Sequence, residues 1–282
     1  MHITRPARPA RPSRRSALLG VTAAAGLSLA AVTLLGTAEA APRPTTRPTI
    51  VLEHGAFADA ASWDGVVTRL HRAGYPVVSA ANPLRGPATD AAYLRSVVQH
   101  IDGPVVLVGH SYGGTVISQA AVGLEDKVKA LVYIAAFLPD TGESSLGLTN
   151  KFPGSTLGQA IESVDYTLPD GGQGADVYIK PEKFRAQFAA DVPEAEARLM
   201  AAGQRPVAAA ALEEESTAAA WKTIPAWSLI TTRDLNIPVA AQRYMSARAK
   251  ARTTTIDASH AVSVSHPDAV ARIVQQAART VR

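Results

Sequence analysis

From Thr49 onward, short apolar runs of strand length alternate with stretches that repeat apolar positions at helical spacing. Residues 49–54, 77–80, 105–108, 130–136, 226–231 and 253–256 are the apolar or β-rich runs. Between them, Trp63, Val66, Val67 and Leu70 share one helical face that Gly74 closes, and residues 90–101, 239–249 and a last stretch from Pro267 also read as helices. Continuous apolar runs separated by helices predict an α/β fold: a doubly wound, mostly parallel sheet covered on both faces. The rhythm breaks from Leu138 to Lys222, after the strand ending near Ala136. This insertion begins with Gly-, Ser- and Pro-rich turns and later becomes helical. Asp191, Pro193 and Glu194 have the spacing of a capping box that opens a helix through Met200. An insertion at this place is expected to form a helical cap, with Phe152, Leu157, Tyr166, Tyr178, Phe184, Phe188 and Met200 as candidates for packing or substrate contact.

Charge changes the picture at one end only. Residues 1–40 carry five arginines (Arg5, Arg8, Arg11, Arg14 and Arg15) and one acid, Glu39, out of 28 basic and 24 acidic residues in the chain. The rest therefore has 23 of each, and no basic surface for nucleic acid is expected. The Arg14-Arg15 pair, the apolar stretch from Ala17 to Gly36 and Ala38-Glu39-Ala40 predict a cleavable export signal of the twin-arginine type over residues 1–40. Residues 41–48 would then form a linker, and residues 49–282 a single domain, secreted and without stable membrane contact once the signal is removed. A retained membrane anchor is the alternative. The chain has no cysteine, which removes disulfides, thiolate nucleophiles and Cys-ligated metals.

The chemistry centres on Gly109-His110-Ser111-Tyr112-Gly113, a G-x-S-x-G pattern. It follows an apolar strand and opens a helix, the setting in which a serine is presented on a tight turn as a nucleophile. A serine hydroxyl needs a base. Of the six histidines beyond residue 49, His260 follows the last strand by a short loop and is the candidate. His54 and His110 read as structural, His71 and His100 as helix-surface residues, and His266 as a helix-entry residue. An acid must orient the base, and Asp234 follows the penultimate strand, giving the order Ser111, Asp234, His260. Asp140 and Asp257 remain rivals. Backbone donors for a developing oxyanion are expected at Tyr112 and at Ala56, with Phe57 as the alternative.

With these residues in view, the chain resembles the α/β-hydrolase superfamily over residues 49–282. More narrowly, His54-Gly55-Ala56 with Trp63, Gly109 to Gly114, and Ser259-His260 resemble small bacterial hydrolases related to plant methylesterases and hydroxynitrile lyases. The resemblance implies a serine mechanism on small carboxylic esters beneath a compact cap, with no metal or organic cofactor. The lyase branch carries Thr and Lys where this chain has Gly55 and Ala261, so ester hydrolysis is favoured. Lyase-like or perhydrolase activity, and a non-catalytic ligand-binding role, are the alternatives.

Overall fold

The computed structural model describes residues 47–281; the expected export signal and most of the expected linker lie outside them. In chain order the strands are β1 (Thr49–Glu53), β2 (Val77–Ala80), β3 (Val105–His110), β4 (Val128–Ile134), β5 (Ile161–Thr167), β6 (Gln173–Ile179), β7 (Val207–Ala208), β8 (Ala226–Thr231) and β9 (Arg252–Ile256). The helices are α1 (Asp64–Arg72), α2 (Pro87–His100), α3 (Tyr112–Ala120), α4 (Ser145–Asn150), α5 (Leu157–Ala160), α6 (Pro181–Phe188), α7 (Glu194–Gly203), α8 (Ala209–Glu213), α9 (Val239–Arg248), α10 (Val262–Ser265) and α11 (Pro267–Ala278).

Six strands form one sheet in the order β2-β1-β3-β4-β8-β9, and every pairing in it is parallel. The alternation of side chains along each strand explains the apolar runs. Val51, Val105 and Leu107 face a core shared with Leu94, Val116 and Ile117 of α2 and α3. Ile50, Leu52, Val106 and Val108 face the opposite core, against Val66 and Leu70 of α1 and Val270 and Val274 of α11. A strand buried on both faces has no polar positions to alternate with, hence the unbroken run at residues 105–108. Each of these side chains is fully buried, contributing about 1.5–3 kcal/mol of burial apiece.

The chain leaves β1 towards β2 on one side and returns to β3 on the other. Such a reversal opens a crevice at the carboxyl ends of the strands. Ser111, Asp234 and His260 follow β3, β8 and β9 at that end.

The segment between β4 and β8 contains helices α4–α8, and also a three-stranded antiparallel sheet in the order β5-β6-β7. That sheet is an addition to the helical insertion expected from sequence. The capping-box reading of Asp191 needs correction: α7 begins at Glu194 with Pro193 at its N-cap and no side-chain capping bond. The carboxylate of Asp191 instead accepts the Ser259 N–H at 3.0 Å and the Ser259 hydroxyl.

One residue sits awkwardly in this core. Glu53 is fully buried at the end of β1, and neither carboxylate oxygen has a hydrogen-bond partner. Burial first, and then the nearby Asp90, push its pKa well above 4.5. Above pH 4.5 the unfolded chain loses this proton while the folded chain keeps it, so stability falls as pH rises towards the folded pKa. Glu53→Gln cannot ionise. Its stability advantage over the parent should widen by about 1.4 kcal/mol per pH unit across that window. Denaturant melts of both proteins between pH 5 and 8 check this; a constant gap would refute it.

Candidate active site

Ser111 occupies the turn between β3 and α3 with φ 54° and ψ −124°, a left-handed conformation that costs a non-glycine residue of order 1–3 kcal/mol. The surrounding backbone holds it there. Its N–H donates to the Ile134 carbonyl at 3.3 Å, and its own carbonyl accepts the N–H groups of Gly114 at 3.0 Å and Phe137 at 3.2 Å. Gly113 allows α3 to start this close to β1, because a Cβ there would lie 2.5 Å from the Glu53 carbonyl oxygen.

His260 and Asp234 meet on the neighbouring loops. The imidazole Nδ1 lies 2.7 Å from Asp234 Oδ2, and both side chains are buried. Asp234 Oδ2 also accepts from Thr231 Oγ1 and Gln242 Nε2, each at 3.0 Å. Its Oδ1 accepts the N–H groups of Asn236 at 2.8 Å and Ile237 at 2.9 Å. Burial alone would raise this carboxyl's pKa. The charge and hydrogen bond of His260, with the two backbone donors, outweigh it and hold the pKa below the ordinary aspartate value. An anion is thus maintained in a dry site beside the imidazole.

The other histidines are accounted for by structure. His110 Nε2 bonds the His260 carbonyl at 2.9 Å, fixing the loop that carries His260. Burial, then the proximity of His260, push its pKa down to about 3. His54 accepts the Asn82 N–H on Nε2 at 3.0 Å and bonds the Gly55 carbonyl through Nδ1 at 2.9 Å. Accepting on Nε2 requires a neutral ring, in keeping with a pKa lowered by burial to about 4. His71 and His100 are exposed, and His266 stands at the N-cap of α11.

The rival acids are engaged elsewhere. Asp140 is bound by Lys222. Asp257 is exposed, paired with Arg233 at 3.0 Å and with the Thr232 hydroxyl at 3.0 Å.

The loop after β1 passes directly over the serine. A Cβ on Gly55 would lie 2.6 Å from Ser111 Cβ and 2.7 Å from the His110 carbonyl oxygen. Phe57 takes a left-handed φ of 61°, and its N–H is consumed by the Arg205 carbonyl at 2.9 Å. Among the described residues, the N–H groups of Ala56 and Tyr112 have no such acceptor. Tyr112 is pinned by its own hydroxyl, which donates to Asp90 Oδ2 at 2.8 Å. Gly55→Ala should therefore push the loop and the elbow apart. It is expected to cost about 1–3 kcal/mol of stability and at least about tenfold in turnover of any substrate attacked by Ser111, measured by melting and steady-state rates. Unchanged kinetics would show that the loop does not bear on the serine.

Ser111 and His260 both open onto a cavity of about 300 Å³, with Ala56, Phe57 and Tyr112 in its wall. Phe137, Leu157, Ile161, Leu212 and Ile237 give it apolar surface; Ser145, Thr149, Asn150, Thr156, Gln159 and Asn236 give it neutral polar groups. Among the described residues, no Lys, Arg, Asp or Glu side chain lines it. Of the aromatic and apolar cap residues singled out from sequence, Leu157 is in this wall. Phe184 and Phe188 are core residues, Phe152 stacks on Tyr244 at 5.4 Å, and Tyr166 bonds Arg85 at 3.3 Å. Met200 lines a separate groove. Most of the polar wall is invisible in the sequence, because isolated Ser, Thr, Asn and Gln residues in a turn-rich segment carry no signal. Among the described residues, no group of three or more His, Asp or Glu side chains could hold a metal ion.

The profile of the alpha/beta hydrolase family matches residues 50–273. An alpha/beta hydrolase of Aspergillus novofumigatus is 29% identical over 253 residues, covering 82% of this chain and 97% of that protein. A pyrethroid hydrolase of Sphingobium wenxiniae is 28% identical over 251 residues, covering 80% of this chain and 85% of the relative. Methylesterase 8 of Arabidopsis thaliana is 29% identical over 130 residues, covering 40% of this chain and 48% of the plant protein. Among solved structures, polyneuridine aldehyde esterase superposes with a TM-score of 0.72 at 20% identity, covering 82% of this chain and 98% of the other; that likeness is one of fold. The match spans both strand-end loops and the serine turn, and the chain belongs to the α/β-hydrolase family.

Proposed function

We propose that this hydrolase cleaves small, uncharged carboxylic esters through a covalent acyl-serine intermediate, with Ser111 as nucleophile, His260 as general base and Asp234 as its orienting acid. The observation that carries the reading is the buried 2.7 Å contact between His260 and Asp234 beside a serine held at φ 54°. Asp234 accepts from Nδ1, which leaves Nε2 unprotonated and able to take the hydroxyl proton of Ser111 as its oxygen bonds to the ester carbonyl carbon. The carbonyl oxygen becomes anionic and is met by the N–H groups of Ala56 and Tyr112. Collapse breaks the bond to the alkoxy oxygen, which leaves as the alcohol with the proton from His260. A water, deprotonated by His260, then attacks the acyl carbon; the acid departs and Ser111 recovers its proton. Ala56 is preferred to Phe57 as a donor because the Phe57 N–H is already committed to Arg205.

The neutral lining of the cavity supports the choice of substrate class. A charged acyl group would lose its hydration there without gaining a partner. Nitrophenyl and methyl esters of graded acyl length test this, with the Ser111→Ala protein as blank. Short neutral esters should turn over at least about tenfold faster than a half-ester bearing a free carboxylate. Failure to hydrolyse any neutral ester would overturn the proposal. The predicted export signal fits an enzyme acting outside the cytoplasm, and we extend the proposal to that location.

A further inference from the structure

Five residues of the cap, 187–191, make a set of polar contacts that the steps above leave unused. These contacts reach both the loop bearing Asp234 and the loop bearing His260.

Towards the acid, Gln187 Nε2 donates to the Leu235 carbonyl at 2.8 Å and to Asn236 Oδ1 at 3.2 Å, and Asn236 Nδ2 donates back to the Gln187 carbonyl at 3.3 Å. Gln187 is itself fixed by the Thr156 hydroxyl, which donates to its Oε1 at 2.8 Å. Leu235 and Asn236 directly follow Asp234, and Asn236 supplies one of the two backbone donors to its carboxylate.

Towards the base, both chain neighbours of His260 are held. Asp191 accepts the Ser259 N–H and hydroxyl, and the Phe188 carbonyl accepts the Ala261 N–H at 2.9 Å. The Phe188 ring meets the His260 ring edge-on, with centroids 4.9 Å apart. Asp191 has no local helix-capping role to explain its partial burial. The Arg233 guanidinium lies 3.9 Å from its carboxylate and His266 Nδ1 3.6 Å from it.

We propose that cap residues 187–191 are a clamp that sets the acid and base loops relative to each other, with Asp191 and Gln187 as positioning residues for the hydrolysis assigned to Ser111, His260 and Asp234. The proposal rests on that assignment. The core fixes His260 through its carbonyl, and Asp234 fixes the ring, but neither contact restrains the backbone on both sides of the histidine. The cap does. A shift of the imidazole by about 1 Å can cost on the order of 10²-fold in rate.

The test uses the purified enzyme and a short nitrophenyl ester. Asp191→Ala should lower kcat by about 10- to 100-fold with KM within about twofold. Asp191→Asn, which retains an acceptor for the Ser259 N–H, should recover part of the loss. Gln187→Ala should lower kcat in the same way. Asp191→Ala combined with Ser259→Ala should cost less than the product of the single effects, because both remove the contact between the Ser259 hydroxyl and the Asp191 carboxylate. A purely structural role would lower the melting temperature without altering the proton NMR resonance of His260 Nδ1–H, identified by its loss in His260→Ala. The clamp predicts that this resonance broadens or moves in Asp191→Ala at temperatures where the protein is fully folded. Wild-type kcat in folded Asp191→Ala, or a loss confined to KM, overturns the clamp. If a fluorophosphonate fails to label Ser111 in the wild type, the triad assignment fails instead. Labelling of the wild type and Asp191→Ala at equal rates would remove the clamp while leaving the triad intact.

Discussion

Asp234→Asn is expected to lower ester turnover by up to about 10⁴-fold while leaving the fold in place. The reason lies in the donors around this carboxylate. Oδ2 faces His260 Nδ1, Gln242 Nε2 and Thr231 Oγ1, and Oδ1 faces two backbone N–H groups. An asparagine must turn its amide NH₂ towards one of these sets. The backbone donors cannot rotate away, so the NH₂ is expected to face His260. Its Nδ1 must then accept, the ring proton moves to Nε2, and the base is blocked towards Ser111. Steady-state rates across pH 6–9 measure the loss. Asp140→Asn, at the Lys222 pair, serves as the control and should stay within about twofold of wild type. A large effect at Asp140 with little at Asp234 would relocate the acid.

Removal of the nucleophile should be comparably severe. Ser111→Ala is expected to lose on the order of 10³-fold or more of ester turnover, and covalent labelling by a fluorophosphonate should vanish from the intact mass. Ser111 has little else to do in the fold: among the described residues its hydroxyl has no hydrogen-bond partner, and its backbone contacts survive the change. The variant should therefore melt close to the parent, so that lost activity is separable from lost structure. Labelling that persists at another serine would displace Ser111 from its role.

Much of the sheet could be read from the chain because buried parallel strands leave unbroken apolar runs. Residues 77–80 and 226–231 coincide with β2 and β8, and residues 105–108 extend only to His110. The serine turn was legible because strand, glycines and helix are contiguous in sequence. What escaped has a common physical cause. Strand β5 is exposed along most of its length, so Ile161–Thr167 carries no apolar period to mark it. Asp191 reads locally as a helix cap because its partner, Ser259, lies 68 residues away. The choice between Ala56 and Phe57 turns on the Arg205 carbonyl, a contact supplied by the cap. Local pattern reveals elements; it is silent on which distant backbone group will claim a given donor.

The uncharged lining of the cavity also bears on how a catalytic cycle ends. The ester enters neutral, but the acid it yields is a carboxylate at neutral pH. That anion forms in a space whose wall, among the described residues, holds no lysine or arginine, and Asp234 stays ionised behind His260. Without a counter-ion, desolvation and like-charge repulsion both favour its escape to water. For the hydrolysis proposed, the feature that admits the substrate also ejects the product, and the enzyme resists inhibition by the acid it makes.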